Sequence, residues 1–368
     1  MATIMIKKII NNKKSIAKKK TLILFAPGVH TGGGFVLIKN IIKYLKNSLI
    51  FVDERLKLDN NNKSNTKVYI FHSLLGRLIA EFKLLIAYKK NKNNIIFCFH
   101  GIPPFFIKKN KNIVVFLQNS LHFEKLNYSE YPLKTLLRLF FEKLLLKILI
   151  YKVGTFIVQT PNMKRLLIEG LLKFKKEKWS KIKILPLVPL KNKNITTKQK
   201  KKLDFIYVAE GLPHKNHKRL IEAWVELAKR NITPTLTLTI GNKYSDIIDY
   251  IEKKKKLHNL KIKNLGQISQ ESLDRQYEKT STLIYPSYSE SFGLPLLEAS
   301  FYNLPILASE LDYVRDVCDP EQTFDPKSHI SIANAVKRFL DLKSYKIKSY
   351  KIKTYSNINF INKVLDIK

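Results

Sequence analysis

The alternation of two kinds of segment most constrains what this chain can fold into. "TLILFAPG", "NSLIFVDE", "KVYIFHS", "NIIFCFH", "NIVVFLQNS" and "GTFIVQT" are short apolar runs rich in β-branched and aromatic residues, each bounded by polar residues or glycine. Between most of them lie stretches with helical periodicity, among them "FVLIKNIIKYLK" and "LLGRLIAEFKLLIAYKK". Strands alternating with helices read as a parallel, doubly wound sheet. After "KILPLVPL" comes "KNKNITTKQKKK", nearly free of apolar residues, which reads as an interdomain linker. The alternation then restarts: "LDFIYVAEG", "TLTLTIGN", "KIKNLG", "STLIYPS", "LPILAS" and "QTFDP" are strand candidates, interleaved with helices such as "HKRLIEAWVELAKR" and "SQESLDRQYEKT". Two α/β domains are expected, residues 1–190 and 191–368. The length agrees, because single cores stop growing at about 250 to 300 residues. The final "KSYKIKSYKIKTYSNINFINKVLDIK" holds only two copies of "KSYKIK". It reads as a local basic helix, expected to return to the first domain.

Charge narrows the function classes. There are 67 Lys and Arg against 29 Asp and Glu, a formal net charge of +38. Such an excess fits phosphate contacts with nucleic acid or attraction to an anionic membrane. Arg is scarce beside Lys while Ile and Asn abound, a drift resembling that of an AT-rich genome, and no clustered Arg with aromatic platforms appears. Cys98 and Cys318 are far apart and in no metal spacing, so they read as buried, reduced thiols of a cytosolic protein. "MATIMIKKIINNKKSIAKKK" is basic but lacks an unbroken apolar run and a small-residue cleavage site, so it does not read as a signal peptide. No apolar run reaches the roughly 18 to 20 residues that span a bilayer. Any membrane contact is expected to be peripheral. Residues 133–152, "LKTLLRLFFEKLLLKILIYK", have the groups of apolar residues and intervening cations of an interfacial helix, and equally those of a core-packed amphipathic helix.

The richest chemistry sits in residues 286–300, "PSYSESFGLPLLEAS". "STLIYPS" is a strand, "YSESFG" the loop that leaves it and "LPLLEASFYN" a helix with Pro295 at its start, where a missing N–H costs nothing. At the carboxyl end of a parallel strand, the N–H groups of Phe292, Gly293 and Leu294 make an anion site suited to a diphosphate. Glu298, about one turn into the helix, is placed to accept from ribose hydroxyls. Glu290 lies in the loop on the other side of the anion, near a second polyol such as a sugar. The same positions also fit a dipole-complementing surface acid and a solvated loop acid.

These residues resemble the E-x7-E motif of retaining glycosyltransferases with the GT-B fold, family 4. The flanks "NLGQISQESLDRQYEKTSTLIYPS", "NLPILASELDYVRDVC" and "FDPKSHISIANAVKRFL" are similar to the same family, so the resemblance runs through nearly all of the second domain. "YVAEGLPHKNHKRLIEAW" resembles the opening of the family's second domain and matches Lys215 to the lysine that neutralises the donor diphosphate. The family's arginine five positions earlier is here Glu210, so a second cation must come from elsewhere or be dispensed with. "FAPGVHTGGGFVLIKNIIKYL" resembles the family's Gly-rich loop, placing Gly33 and Gly34 under the donor phosphates, where only glycine lets the backbone approach closely. Family members often carry a His that binds the donor sugar; His100 and the Gln118–Asn119 pair both fit. His122 reads as a core or loop histidine.

The resemblance implies two Rossmann-like doubly wound domains facing a cleft. It implies a hexosyltransferase using a nucleotide-diphosphate sugar, with no metal and no resident cofactor. The acceptor would be lipid-linked or a saccharide, in O-antigen, lipopolysaccharide or capsule assembly at the inner face of the cytoplasmic membrane. Glu290 and Lys215 would carry catalysis, and Glu298 with residues 292–294 would bind the donor. A GT-B sugar-nucleotide epimerase shares the fold and donor site but lacks an acceptor. A basic nucleic-acid-binding protein fits the charge alone.

Overall fold

The computed structural model describes residues 20–29, 32–56, 66–71, 73–124, 128–173, 175–188, 204–342 and 354–367. The linker stretch "KNKNITTKQKKK" and both "KSYKIK" copies lie outside these residues.

The first sheet has seven parallel strands in the order β3-β2-β1-β4-β5-β6-β7. They are β1 (Leu22–Ala26), β2 (Leu49–Asp53), β3 (Lys67–Phe71), β4 (Ile95–Cys98), β5 (Ile113–Phe116), β6 (Thr155–Val158) and β7 (Ile182–Ile184). Every residue of β1, β4, β5 and β6 is buried, as continuous apolar runs must be when both faces of a parallel sheet are covered. Edge strand β3 carries exposed Lys67 and Ile70 instead. The short β7 was not marked as a strand by its sequence, whose "KIKILP" has few residues before proline.

Helices cover both faces. On one lie α1 (Gly32–Ile42) and the chain's last helix, α11 (Asn357–Leu365), whose Phe360, Ile361 and Val364 enter the same core as Leu24, Phe97 and Phe116. On the other lie α2 (Ser73–Lys90), α3 (Leu133–Leu149) and α4 (Pro161–Leu167), sharing a core with Phe25, Ile96 and Val115. Helix α4 starts at a Thr160 cap, whose Oγ1 accepts from the Met163 N–H at 3.1 Å, with Pro161 in its first turn. The three glycines expected as a loop form the first turn of α1 instead, Gly32 with φ +67°. Glycine permits that left-handed start and leaves the first-turn N–H groups open to one side.

The second sheet has six parallel strands in the order β10-β9-β8-β11-β12-β13. These are β8 (Asp204–Tyr207), β9 (Thr235–Leu238), β10 (Ile262–Asn264), β11 (Thr282–Tyr285), β12 (Ile306–Ser309) and β13 (Gln322–Phe324). Around it pack α5 (His217–Lys229), α6 (Ser245–His258), α7 (Gln270–Lys279), α8 (Leu294–Phe301), α9 (Asp312–Val317) and α10 (His329–Asp341). Their core centres on Trp224, Phe205 and Phe339.

Polar bonds join the two halves. Ser120 Oγ and Ser289 Oγ are 2.7 Å apart and buried. The Asn162 N–H donates to Asp316 Oδ2 at 2.6 Å, and Arg165 pairs with Asp312 at 2.8 Å, tying α4 to α9. Cys98 and Cys318 are buried, unbridged and in different sheets' cores.

Candidate active site

In each sheet the strand order reverses beside the first strand, between β1 and β4 and between β8 and β11. Ligands bind outside the carboxyl ends of strands at such switch points. The segments leaving these four strands carry Gly32 to Gly34, His100, Glu210 to Lys215 and Ser289 to Gly293. All of these segments line one cleft of about 500 Å³ between the sheets. Every residue singled out by the sequence is on its wall: Glu290, Lys215, Glu298, Phe292, Gly293, Leu294, Gly33, Gly34, His100 and Asn119.

The loop after β11 is fixed from below. Tyr313 OH donates to the Ser287 carbonyl at 2.8 Å, Ser309 Oγ donates to it at 3.0 Å, and Tyr207 OH lies 2.9 Å from Ser287 Oγ. From above, the first domain holds it through Ser120–Ser289 and through Thr160 Oγ1, which donates to the Ser291 carbonyl at 3.4 Å. Gly293 then turns the chain into α8 with φ +77°. A Cβ there would meet Leu296 Cδ1 at 3.0 Å, so both dihedral and space call for glycine. One turn along α8, Glu298 receives Tyr277 OH at 3.0 Å and Gln270 Nε2 at 3.3 Å, both from α7.

Lys215 ends a short 3₁₀ turn, Pro213–Lys215. Its carbonyl accepts from Tyr207 OH at 2.7 Å. The next residue, Asn216, is left-handed with φ 61°, and its amide donates to the Pro286 and Pro326 carbonyls at 3.0 and 2.7 Å. The ammonium so placed meets Glu290 Oε1 at 2.6 Å, and Tyr285 OH donates to the same oxygen at 2.7 Å. Burial pushes the Glu290 carboxyl up, but the Lys215 charge and the donated hydrogen bonds outweigh it and hold the carboxyl below its ordinary value. Spacing had given the two residues separate partners; the fold makes them one ion pair. Glu210, at the position of the missing arginine, accepts from Tyr244 OH at 3.1 Å and pairs with Lys243 at 3.5 Å.

The first domain forms the opposite wall. Gly33 faces Leu294 and Gly34 faces Gln118: a Cβ on them would lie 3.3 Å from Leu294 Cδ1 and 3.2 Å from Gln118 Oε1. His100 Nδ1 and Gln118 Oε1 are buried without a hydrogen-bond partner among the described residues. Burial, helped by the Arg77 charge, presses the His100 pKa to about 3, so the ring is neutral. Asn119 is engaged locally, its Oδ1 accepting from the Leu121 N–H at 3.1 Å and its Nδ2 lying 3.3 Å from His122 Nε2. His122 itself faces Glu142 at 2.9 Å, a packed histidine on the cleft floor. Arg138 of α3 also lines the cleft, with its side chain 61% exposed. Lys215 and Arg138 are the only Lys or Arg on the described wall.

Sequence reading missed Arg138, Tyr285, Tyr277 and Gln270. The last two were legible in principle: seven positions apart in "SQESLDRQYEKT", they share a helix face. Tyr285 closes a strand at its carboxyl end, a recurrent place for a binding group. Nothing in the sequence marked Arg138.

Two parallel α/β domains whose switch points face one cleft, with a helix N-terminus on its wall, make the GT-B fold. Residues 190–356 match the model of the family Glycosyl transferases group 1, so the second half of the chain is similar to that family. A serotype-specific mannosyltransferase, WbdA of Escherichia coli, is 30% identical over 142 residues, 38% of this chain and 17% of that protein. The O-antigen chain mannosyltransferase B of Escherichia coli is 31% identical over 86 residues, 23% of each chain. The chain thus spans under a quarter of either relative. Among solved structures, Anabaena Alr3699/HepE in complex with UDP and glucose is similar over 87% of this chain and 90% of its own, with a TM-score of 0.64 and 15% identity. The lipopolysaccharide outer core galactosyltransferase WaaB, in its apo form, is similar over 88% and 90%, with a TM-score of 0.57 and 15% identity. At such identities these likenesses carry the fold.

Proposed function

We propose that the chain transfers a hexose from a nucleotide-diphosphate sugar to an acceptor hydroxyl with retention of anomeric configuration, in assembly of a bacterial surface polysaccharide such as O-antigen, lipopolysaccharide or capsule. The observation that carries this reading is the convergence of Lys215, Glu290, Glu298 and the start of α8 on one cleft wall. The diphosphate lies on the first-turn amides of α8 and draws the Lys215 ammonium away from Glu290. Arg138, reaching the cleft from the other domain, supplies the second cation that Glu210 does not. Glu298, positioned by Tyr277 and Gln270, accepts from the ribose hydroxyls. Glu290, released from Lys215 but still bonded to Tyr285, orients the donor sugar, and the unpartnered His100 Nδ1 and Gln118 Oε1 offer it further polar contacts.

In the chemical step the bond between the anomeric carbon and the phosphate oxygen breaks, and the acceptor oxygen bonds to that carbon on the same face. The acceptor proton passes to the departing phosphate oxygen, and no side chain forms a covalent intermediate. The mannosyltransferase relatives make a nucleotide-linked mannose the first donor to test, and the one named for the O-antigen chain favours a lipid-linked or saccharide acceptor at a membrane surface. Product mass spectrometry with a panel of nucleotide sugars and a lipid-diphosphate sugar acceptor is expected to show one hexose added, with the anomeric coupling of the donor retained by NMR. An altered free nucleotide sugar without transfer would give the epimerase instead. Because cations and amides offset the diphosphate charge directly, transfer is expected to persist in excess chelator. Loss restored by magnesium or manganese would overturn that part.

A further inference from the structure

Helices α2 and α3 pack on the same face of the first sheet, and each carries two apolar stripes. The inner stripes, including Ala80 and Leu84 of α2 and Leu146 and Leu149 of α3, are buried. The outer stripe of α2 is Leu75, Leu78, Ile79, Phe82 and Ile86, all exposed. That of α3 is Leu133, Leu137, Phe140, Phe141, Leu144 and Ile148, exposed by 39 to 70%. Phe82 stacks on exposed Phe106 at 4.6 Å, extending the patch past the helix. By contrast, the exposed large hydrophobic residues among residues 204–342, around the second sheet, are Leu257 and Ile330. Scattered apolar residues are ordinary on a surface, but an exposed stripe at helical spacing on each of two helices over the same sheet face is not.

Charge says what covers them. Lys83, Lys89 and Lys90 of α2 and Lys134, Arg138 and Lys147 of α3 are exposed around the stripes. The two helices contain only two acids, Glu81 and Glu142. Both are turned inward, Glu81 accepting from the Phe105 N–H at 2.9 Å and Glu142 facing His122. The outer face is therefore apolar and cationic without an exposed anion. No helix among the described residues is long and apolar enough to cross a membrane. The patch also adjoins the site: Arg138 lies on the cleft wall, and Tyr131, just before α3, meets His214 Nδ1 of the second domain at 3.1 Å.

We propose that the outer face of α2 and α3 docks on an anionic lipid bilayer and holds the mouth of the cleft at its surface, so that an acceptor enters from the membrane along the start of α3. The entry of an acceptor rests on the transfer reading above; the docking does not. The apolar stripes sink to the headgroup and acyl boundary while the lysines meet anionic headgroups.

Flotation of the full chain with vesicles tests this. Binding is expected with phosphatidylcholine containing phosphatidylglycerol, and much less with phosphatidylcholine alone. The triple variant F82S/F140S/F141S changes only exposed side chains and should lower the bound fraction by about tenfold. The second-domain variant L257S/I330S should float like the wild type. Failure of the wild type to float, or equal flotation of the triple variant, would overturn the proposal. So would a lipid-free dimer in light scattering that the triple variant splits, which would make a second copy the occupant. Calorimetry with UDP and GDP on the same proteins separates the two readings: unchanged nucleotide affinity in the triple variant isolates the surface, and no affinity in any of them sinks the donor site while flotation still decides the docking.

Discussion

At the scale of single residues, the pairing of Lys215 with Glu290 reorganises what each acid is expected to do. Glu298→Gln loses the charge that receives Tyr277 and should weaken free nucleotide diphosphate and donor alike. Glu290→Gln should reduce turnover while nucleotide affinity holds or tightens, because it frees the ammonium for phosphate. Calorimetry beside steady-state kinetics checks this, and equal loss of nucleotide affinity in both variants would refute the division. The same pair has a signature in pH. The Glu290 carboxyl is held below its ordinary value of 4.5, so its contribution to stability is present above that pH and is lost as pH falls through the lowered value. Lys215→Met removes the charge and a hydrogen bond that hold the carboxyl low, so its folded pKa moves up and the stability lost as pH falls shrinks. Melting temperatures from acid to neutral pH should therefore change slope between the two proteins, and parallel curves would contradict the assignment. The variant should also raise the barrier to transfer by about 2 to 4 kcal/mol. Lys218→Met, whose ammonium lies 5.9 Å from the Tyr250 ring, should leave the barrier nearly unchanged.

At the scale of elements, two helix starts meet across the cleft, and each depends on a glycine in a left-handed conformation. Gly32 has φ +67° with open space around it, whereas Gly293 has φ +77° and Leu296 at 3.0 Å from a would-be Cβ. Gly32→Ala should cost only the dihedral strain, about 1 to 2 kcal/mol. Gly293→Ala should cost more than that in denaturant unfolding, because strain and contact add. It should also weaken nucleotide binding, since the α8 amides are re-aimed. An equal cost at both sites, with nucleotide affinity intact, would show that the α8 start does not hold the phosphates.

At the scale of the whole molecule, Glu290 sits in a second-domain loop whose neighbours Ser289 and Ser291 are gripped by the first domain. The fit of the two domains therefore sets the position of Glu290, whereas Lys215 and the start of α8, proposed to hold the nucleotide, belong to the second domain. Asp316→Ala removes the acceptor of the Asn162 N–H and loosens α4 from α9. Turnover should fall by about tenfold with a smaller loss of nucleotide affinity, since Arg138 is the one diphosphate contact proposed from the first domain. A fall in nucleotide affinity as large as the fall in turnover would show that the nucleotide depends on the closed domains as much as the sugar does.

Twelve of the strands, both parallel sheets and the strand-loop-helix that carries Glu290 and Glu298 were legible in the sequence, because these rest on local periodicity and on where glycine and proline fall. Strand β7, with three residues and one exposed lysine, gave too little pattern to read. Tertiary structure alone decided the rest. Lys215 and Glu290 are 75 positions apart, so their contact is set by two loops converging above adjacent strands. Arg138 reaches the cleft only because α3 packs where the domains meet. The outer stripe of α3 has the same spacing as a core stripe, and periodicity records that a face is apolar, not whether anything in the chain covers it.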